Sequence, residues 1–116
     1  MSEDTGASPL HDVPFTQYLL PNGRTQCVTI KRSEEIAKKA KELIKNGFML
    51  EVEILRTGQV SMTCEYPHPE YGRVAIAHII CANGPEVPKY VDELITKAHD
   101  TYQNNKDENG KYIIFG

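Results

Sequence analysis

This chain lacks most of the features that would announce a chemistry. No stretch of its 116 residues approaches the roughly 18 consecutive apolar residues of a membrane-spanning helix. The start, Met1 to Ala7, is acidic and polar, without the basic opening and apolar run of an export signal. Cysteine is scarce and odd in number: Cys27, Cys64 and Cys81. A disulfide framework is therefore not expected, and a reduced, cytoplasmic setting is. The formal charge of -3 is too slight for a nucleic-acid mimic, and there is no basic excess for non-specific nucleic-acid binding. Internal repeats, low-complexity tracts and a Gly-x-Ser-x-Gly elbow are also missing. No cofactor is implied.

What is present is punctuation. Residues 1–14 hold Ser, Asp, Gly and Pro with little periodicity and read as a mobile N-terminal arm. Two strands, Phe15 to Leu20 and Gln26 to Ile30, flank Asn22-Gly23, a pair that accepts positive φ and favours a tight hairpin. Ser33 is suited to cap a helix over 33–46, whose apolar stripe is Ile36, Ala37, Ala40, Leu43 and Ile44. Gly47 supplies the left-handed residue that closes it. A second hairpin follows, with Leu50, Val52 and Ile54 on one strand and Val60, Met62 and Cys64 on the other alternating with polar neighbours. The loop 66–72 leads to a strand from Arg73 to about Cys81 that is apolar on both faces, as a central strand would be. Asn83-Gly84-Pro85 starts a last helix with Pro85 at its first position. The expected fold is α+β, in the order β-β-α-β-β-β-α. A single antiparallel sheet of about five strands carries two helices on one face. One domain spans 15–103, and 104–116 is a polar linker with an apolar tail.

The segments Tyr18-Leu19-Leu20-Pro21-Asn22-Gly23-Arg24 and Asn83-Gly84-Pro85-Glu86-Val87-Pro88 resemble those of small uncharacterised proteins from bacterial and phage genomes. The Thr57-Gly58-Gln59-Val60-Ser61 turn adds to the likeness, which covers roughly residues 16–102. The resemblance implies a prophage or phage context and carries no activity. A second likeness is topological. The order α-β-β-β-α over 33–102 is similar to a double-stranded-RNA-binding domain, but the Lys cluster of that family is replaced here by Pro85-Glu86-Val87-Pro88-Lys89.

Several constellations contain residue types that could carry chemistry. Cys64, His68, His78 and Cys81 are the residue types of a zinc set, but His78 and Cys81 are three apart and fall on opposite faces of a regular strand. No metal site is expected. A Cys–His dyad oriented by Glu51 or Glu53 meets the same parity objection. Glu51, Glu53 and Glu65 share a solvent face without a cleft, and His99-Asp100 reads as a solvated surface. No catalytic residue is assigned and the chain is not expected to be an enzyme.

The function expected is non-catalytic binding of a protein partner, as in a phage-encoded inhibitor or modulator of a host complex. The candidate contact residues are Tyr66, His68 and Tyr71, in a loop stiffened by Pro67 and Pro69, together with Tyr112 and Phe115 of the tail. A homodimer is compatible with this. The alternative is a nucleic-acid-binding module using Lys31, Arg32, Lys38, Lys41 and Lys45. Against that alternative, no aromatics interleave with these cations to stack on bases.

Overall fold

The computed structural model describes residues 10–19, 25–109 and 111–113. Seven elements follow in the order β1 (His11–Leu19), β2 (Thr25–Arg32), α1 (Glu34–Lys45), β3 (Met49–Ile54), β4 (Gln59–His68), β5 (Gly72–Ala82) and α2 (Val87–Asn104). The α+β class with two helices is as expected. The sheet differs from the single antiparallel one read from the sequence. It consists of two antiparallel units, the hairpin β1–β2 and the meander β3–β4–β5. They meet along a short parallel seam of three residue pairs, Gln17↔Glu51 to Leu19↔Glu53, giving the order β2-β1-β3-β4-β5. The cause is α1. The helix crosses from β2, over β1, to deliver β3 on the far side of β1 in the same direction as β1. A register shift in the β1–β2 pairing between Phe15 and Tyr18 overlaps the start of that seam.

Other boundaries move for identifiable reasons. His11 to Pro14, assigned to the arm, belong to β1 and pair with Arg32 to Thr29. Val13 is the anchor, fully buried where a polar arm would leave it in water. The Asn22-Gly23 turn lies outside the described residues. Helix α2 starts at Val87 rather than Pro85, with Pro88 in its first turn, where a missing N–H costs no helical bond. Strand β4 runs on through Pro67 and His68, which pair with Arg73 and Gly72. Proline is tolerated there because β3 reaches only as far as Glu65, so β4 has β5 alone beside it.

Helix α1 follows its sequence signals closely. The backbone N–H of Ile36 donates to Ser33 Oγ at 3.4 Å. At the other end, Phe48 N–H donates to the carbonyl of Leu43 and Gly47 N–H to that of Ile44, a Schellman closure with Gly47 at φ 92°. Leu43 and Phe48 are both buried, completing the hydrophobic contact of that motif. A Cβ on Gly47 would touch nothing within 4 Å, so the backbone conformation alone sets the cost of substitution. Gly47→Ala is expected to lower stability by about 1–2 kcal/mol in urea unfolding. An unchanged midpoint would refute this account of the cap.

The core draws on all seven elements. Leu50 and Val52 of β3, Val60, Met62 and Cys64 of β4, and Ala77 and Cys81 of β5 point inward. They meet Ala40 and Leu43 of α1 and Val91, Leu94, Ile95 and Ala98 of α2. At one end of the core lies an aromatic cluster. The ring of Phe48 sits 5.0 Å from Tyr66, 5.4 Å from Tyr102 and 5.3 Å from Tyr112. The tail reaches it by a tight return: Ile113 N–H donates to Asn105 O at 2.7 Å, and Asp107 Oδ1 accepts from the N–H groups of Asn109 and Lys111.

Candidate functional site

Three regions hold the residues with chemical potential. The first is the sheet face turned away from the helices. On it Arg73 Nη1 reaches Glu51 Oε2 at 2.8 Å and Glu65 Oε1 at 3.5 Å. The Glu65 carboxyl is raised to about 7, by its hydrogen bond to Glu51 first, then by desolvation and by the Glu51 charge, with Arg73 opposing. A raised carboxyl beside a second carboxylate is half of an acid–base pair. However, Arg73 ties the two carboxyl groups together on an open sheet face, whereas glycoside hydrolysis needs carboxyl groups about 5 Å or more apart with substrate between. The arrangement balances charge across β3, β4 and β5. Sequence parity placed all three glutamates on this face; the raised carboxyl came from the closeness of Glu51 and Glu65, which alternation does not reveal.

The second region comprises the cysteines and histidines. A β-bulge at Ile76, between the pairs Cys64↔Ala77 and Glu65↔Ala75, resets the parity of β5 before His78. The regular run beyond it leaves His78 on the outer face, where Nε2 lies 2.8 Å from Ser61 Oγ, while Cys64 and Cys81 face the core. Burial, then Glu65, pushes the Cys64 thiol up to about 12, far from a thiolate at neutral pH. His68 Nδ1 accepts from the N–H groups of Glu70 and Tyr71 and so closes the β4–β5 turn. The four residues are thus split between the core, the outer face and a turn. Among the described residues no group of three or more His, Cys, Asp or Glu is placed to hold a metal ion.

His99 is a correction. Read as a solvated surface, it is only 17% exposed and pins the helices together: Nε2 lies 2.6 Å from Glu42 Oε2, which also accepts from Gln103 Nε2 at 2.6 Å. Residues 57 apart in sequence become neighbours because α1 and α2 pack side by side.

The third region is the β5 edge. Read as a central strand, β5 ends the sheet, with β4 as its single neighbour among the described residues. Its inner face is covered by α2, which accounts for the apolar residues on that side. The outer face carries Ile80, 51% exposed. From Val74 to Ala82 the edge has no Lys and no Pro, residues that commonly blunt an exposed strand. Above it runs an open groove of about 730 Å³ lined by Ile79 and by α2 residues including Glu93, Lys97 and Thr101.

The contact residues expected from sequence are dispersed. Tyr66 and Tyr112 are half buried, 5.2 Å apart in the aromatic cluster. Tyr71 is 61% exposed and stacks on His68 at 4.6 Å. Phe115 lies outside the described residues. Of the cations, Lys31 faces Asp12 in an exposed pair, and Arg32 grips Asp92 through Nε at 2.7 Å and Nη2 at 2.5 Å, tying β2 to α2. Lys38, Lys41 and Lys45 are exposed on α1. No helix among the described residues is long and apolar enough to cross a membrane.

Comparison with known proteins adds no relative: no family model, no curated protein and no solved structure matches the chain.

Proposed function

We propose that this protein is a non-catalytic binding module that recognises a protein partner by strand addition at the edge of β5. The observation that carries the reading is the edge itself: eleven residues, unpaired on one side among the described residues, with an apolar inner face and an outer face on which Ile80 stands exposed beside His78. Such an edge offers a row of backbone donors and acceptors for a further strand, with side-chain contacts on either face to select it. Tyr71 and His68, stacked at the β4–β5 turn, lie at the end of the same edge and extend the surface. The raised Cys64 thiol and the hydrogen-bonded Glu51–Glu65 pair each have a structural explanation, which favours binding over catalysis. A phage or prophage setting, with a host complex as target, rests on the resemblance of residues 18–24 and 83–88. Nucleic-acid binding through α1 is less well supported, since Arg32 is already engaged by Asp92.

Ile80→Lys is the test. It places a charge on the exposed flank of the edge without entering the core. Proteins retained from host extract by the immobilised native chain are expected to drop about tenfold with this variant and to be unchanged with Lys38→Glu on α1. Equal retention by the native chain and Ile80→Lys would overturn strand addition; loss with Lys38→Glu instead would favour the α1 surface.

A further inference from the structure

Along its exposed side, helix α2 carries the charges Lys89, Glu93, Lys97 and Asp100. The row reads plus, minus, plus, minus. Reversed and laid beside itself about a centre at Ile95, it sets Glu93 opposite Lys97 and Lys97 opposite Glu93, with Lys89 one residue out of register from Asp100. No ion pair within α2 uses Lys89, Glu93 or Lys97 among the described residues, although Glu93 and Lys97 have the i,i+4 spacing for one. Among the described residues Asp100 pairs with its neighbour His99 alone, at 3.8 Å.

Resting on the strand-addition reading, we infer that the partner taken up by β5 is a second copy of this chain. A twofold axis perpendicular to the sheet would join the two β5 edges antiparallel and bring the two α2 helices side by side.

The dimensions of strand and helix agree on one axis. From Val87 to Ile95 the helix rises about 12 Å. From Ala82 back along β5, about 12 Å reaches His78 or Ile79. The connection between the two elements is short and α2 packs on β5, so the chain turns back along the strand it has just left. The centre of the charge row therefore lies above the middle of the exposed edge. One axis serves both pairings, as an isologous interface requires. Ile79 of each copy then meets the small Ala77 or Ile79 of the other beneath the helices, and the groove above β5 is closed by the partner's α2. Joining the edges also satisfies the open backbone groups of both strands at once.

Reciprocal charge reversal gives the test, since each change acts twice in a symmetric dimer. Sedimentation equilibrium of the full chain is expected to show a monomer–dimer equilibrium. Lys97→Glu or Glu93→Lys alone should weaken it about tenfold by facing like charges across the axis. The double variant Glu93→Lys with Lys97→Glu should restore it, because each reversed charge meets a reversed partner. Ile80→Lys should weaken dimerisation as well. A monomer at every concentration, single reversals without effect, or failure of the double variant to recover would each overturn the proposal. If the chain is monomeric while Ile80→Lys still abolishes retention of another protein, the β5 edge binds a different partner. In that case strand addition survives and self-association does not.

Discussion

Leu94→Ala is expected to lower the unfolding free energy by about 2–5 kcal/mol, enough to remove a large part of the stability of a small domain. Leu94 is fully buried in the row of α2 that faces the sheet, with Val91, Ile95 and Ala98 on the same stripe. Its neighbours are held from several directions at once, because the core combines α1, α2 and strands of both antiparallel units. Little can collapse into the vacated space, so the loss includes a cavity contribution as well as the transfer free energy. Thermal unfolding should move down by roughly 10–20 °C. The control is Ile113→Ala, at a residue 39% exposed, which should shift the transition by a few degrees at most. A Leu94→Ala loss below about 1 kcal/mol would show that α2 is not packed as described.

Above neutral pH, Glu65→Gln should be more stable than the native chain, and near pH 4 the two should be alike. The Glu65 carboxyl titrates at about 7 in the folded protein, chiefly because it shares a hydrogen bond with Glu51 and is partly desolvated. Unfolded, a glutamate titrates near 4.3. Between those values the folded chain holds a proton that the unfolded chain has released. Stability from this group is therefore greatest below about pH 4.5, declines as pH rises, and levels off above about 7. The full shift would correspond to about 3.5 kcal/mol; solvent at the sheet surface and the pull of Arg73 reduce the expected effect to about 1–2 kcal/mol. Glutamine keeps a donor toward Glu51 and cannot ionise. Urea midpoints for both proteins between pH 4 and 8 give the difference directly. Parallel curves over that range would mean that Glu51 and Glu65 do not interact in the folded protein.

Helix α1 was fully legible in the chain. Ser33, the stripe from Ile36 to Ile44, and Gly47 each act over a few residues, and the structure uses every one of them. The alternation of β3 and β4 was legible for the same reason: side-chain parity is local, and Leu50, Val52, Val60, Met62 and Cys64 all face inward. Pro85 and Pro88 announced a helix start but not which of them would lie inside it, since both positions tolerate a missing donor. For the candidate site the sequence offered one usable sign and suggested the wrong cause. An apolar run on both faces from Val74 to Ala82 can mean burial between neighbours or an uncovered edge, and composition does not separate the two. His99 was misjudged because its partner, Glu42, is on another helix.

The amino-acid sequence by itself determined helix α1 with its caps and the inward side of β3 and β4, because these depend on hydrogen bonds and side-chain periods within a dozen residues. Tertiary structure alone decided the neighbours: the parallel seam between β1 and β3, the meeting of Glu51, Glu65 and Arg73, and the exposure of β5. Those outcomes depend on where α1 carries the chain across the sheet, and no spacing along the polymer encodes that direction.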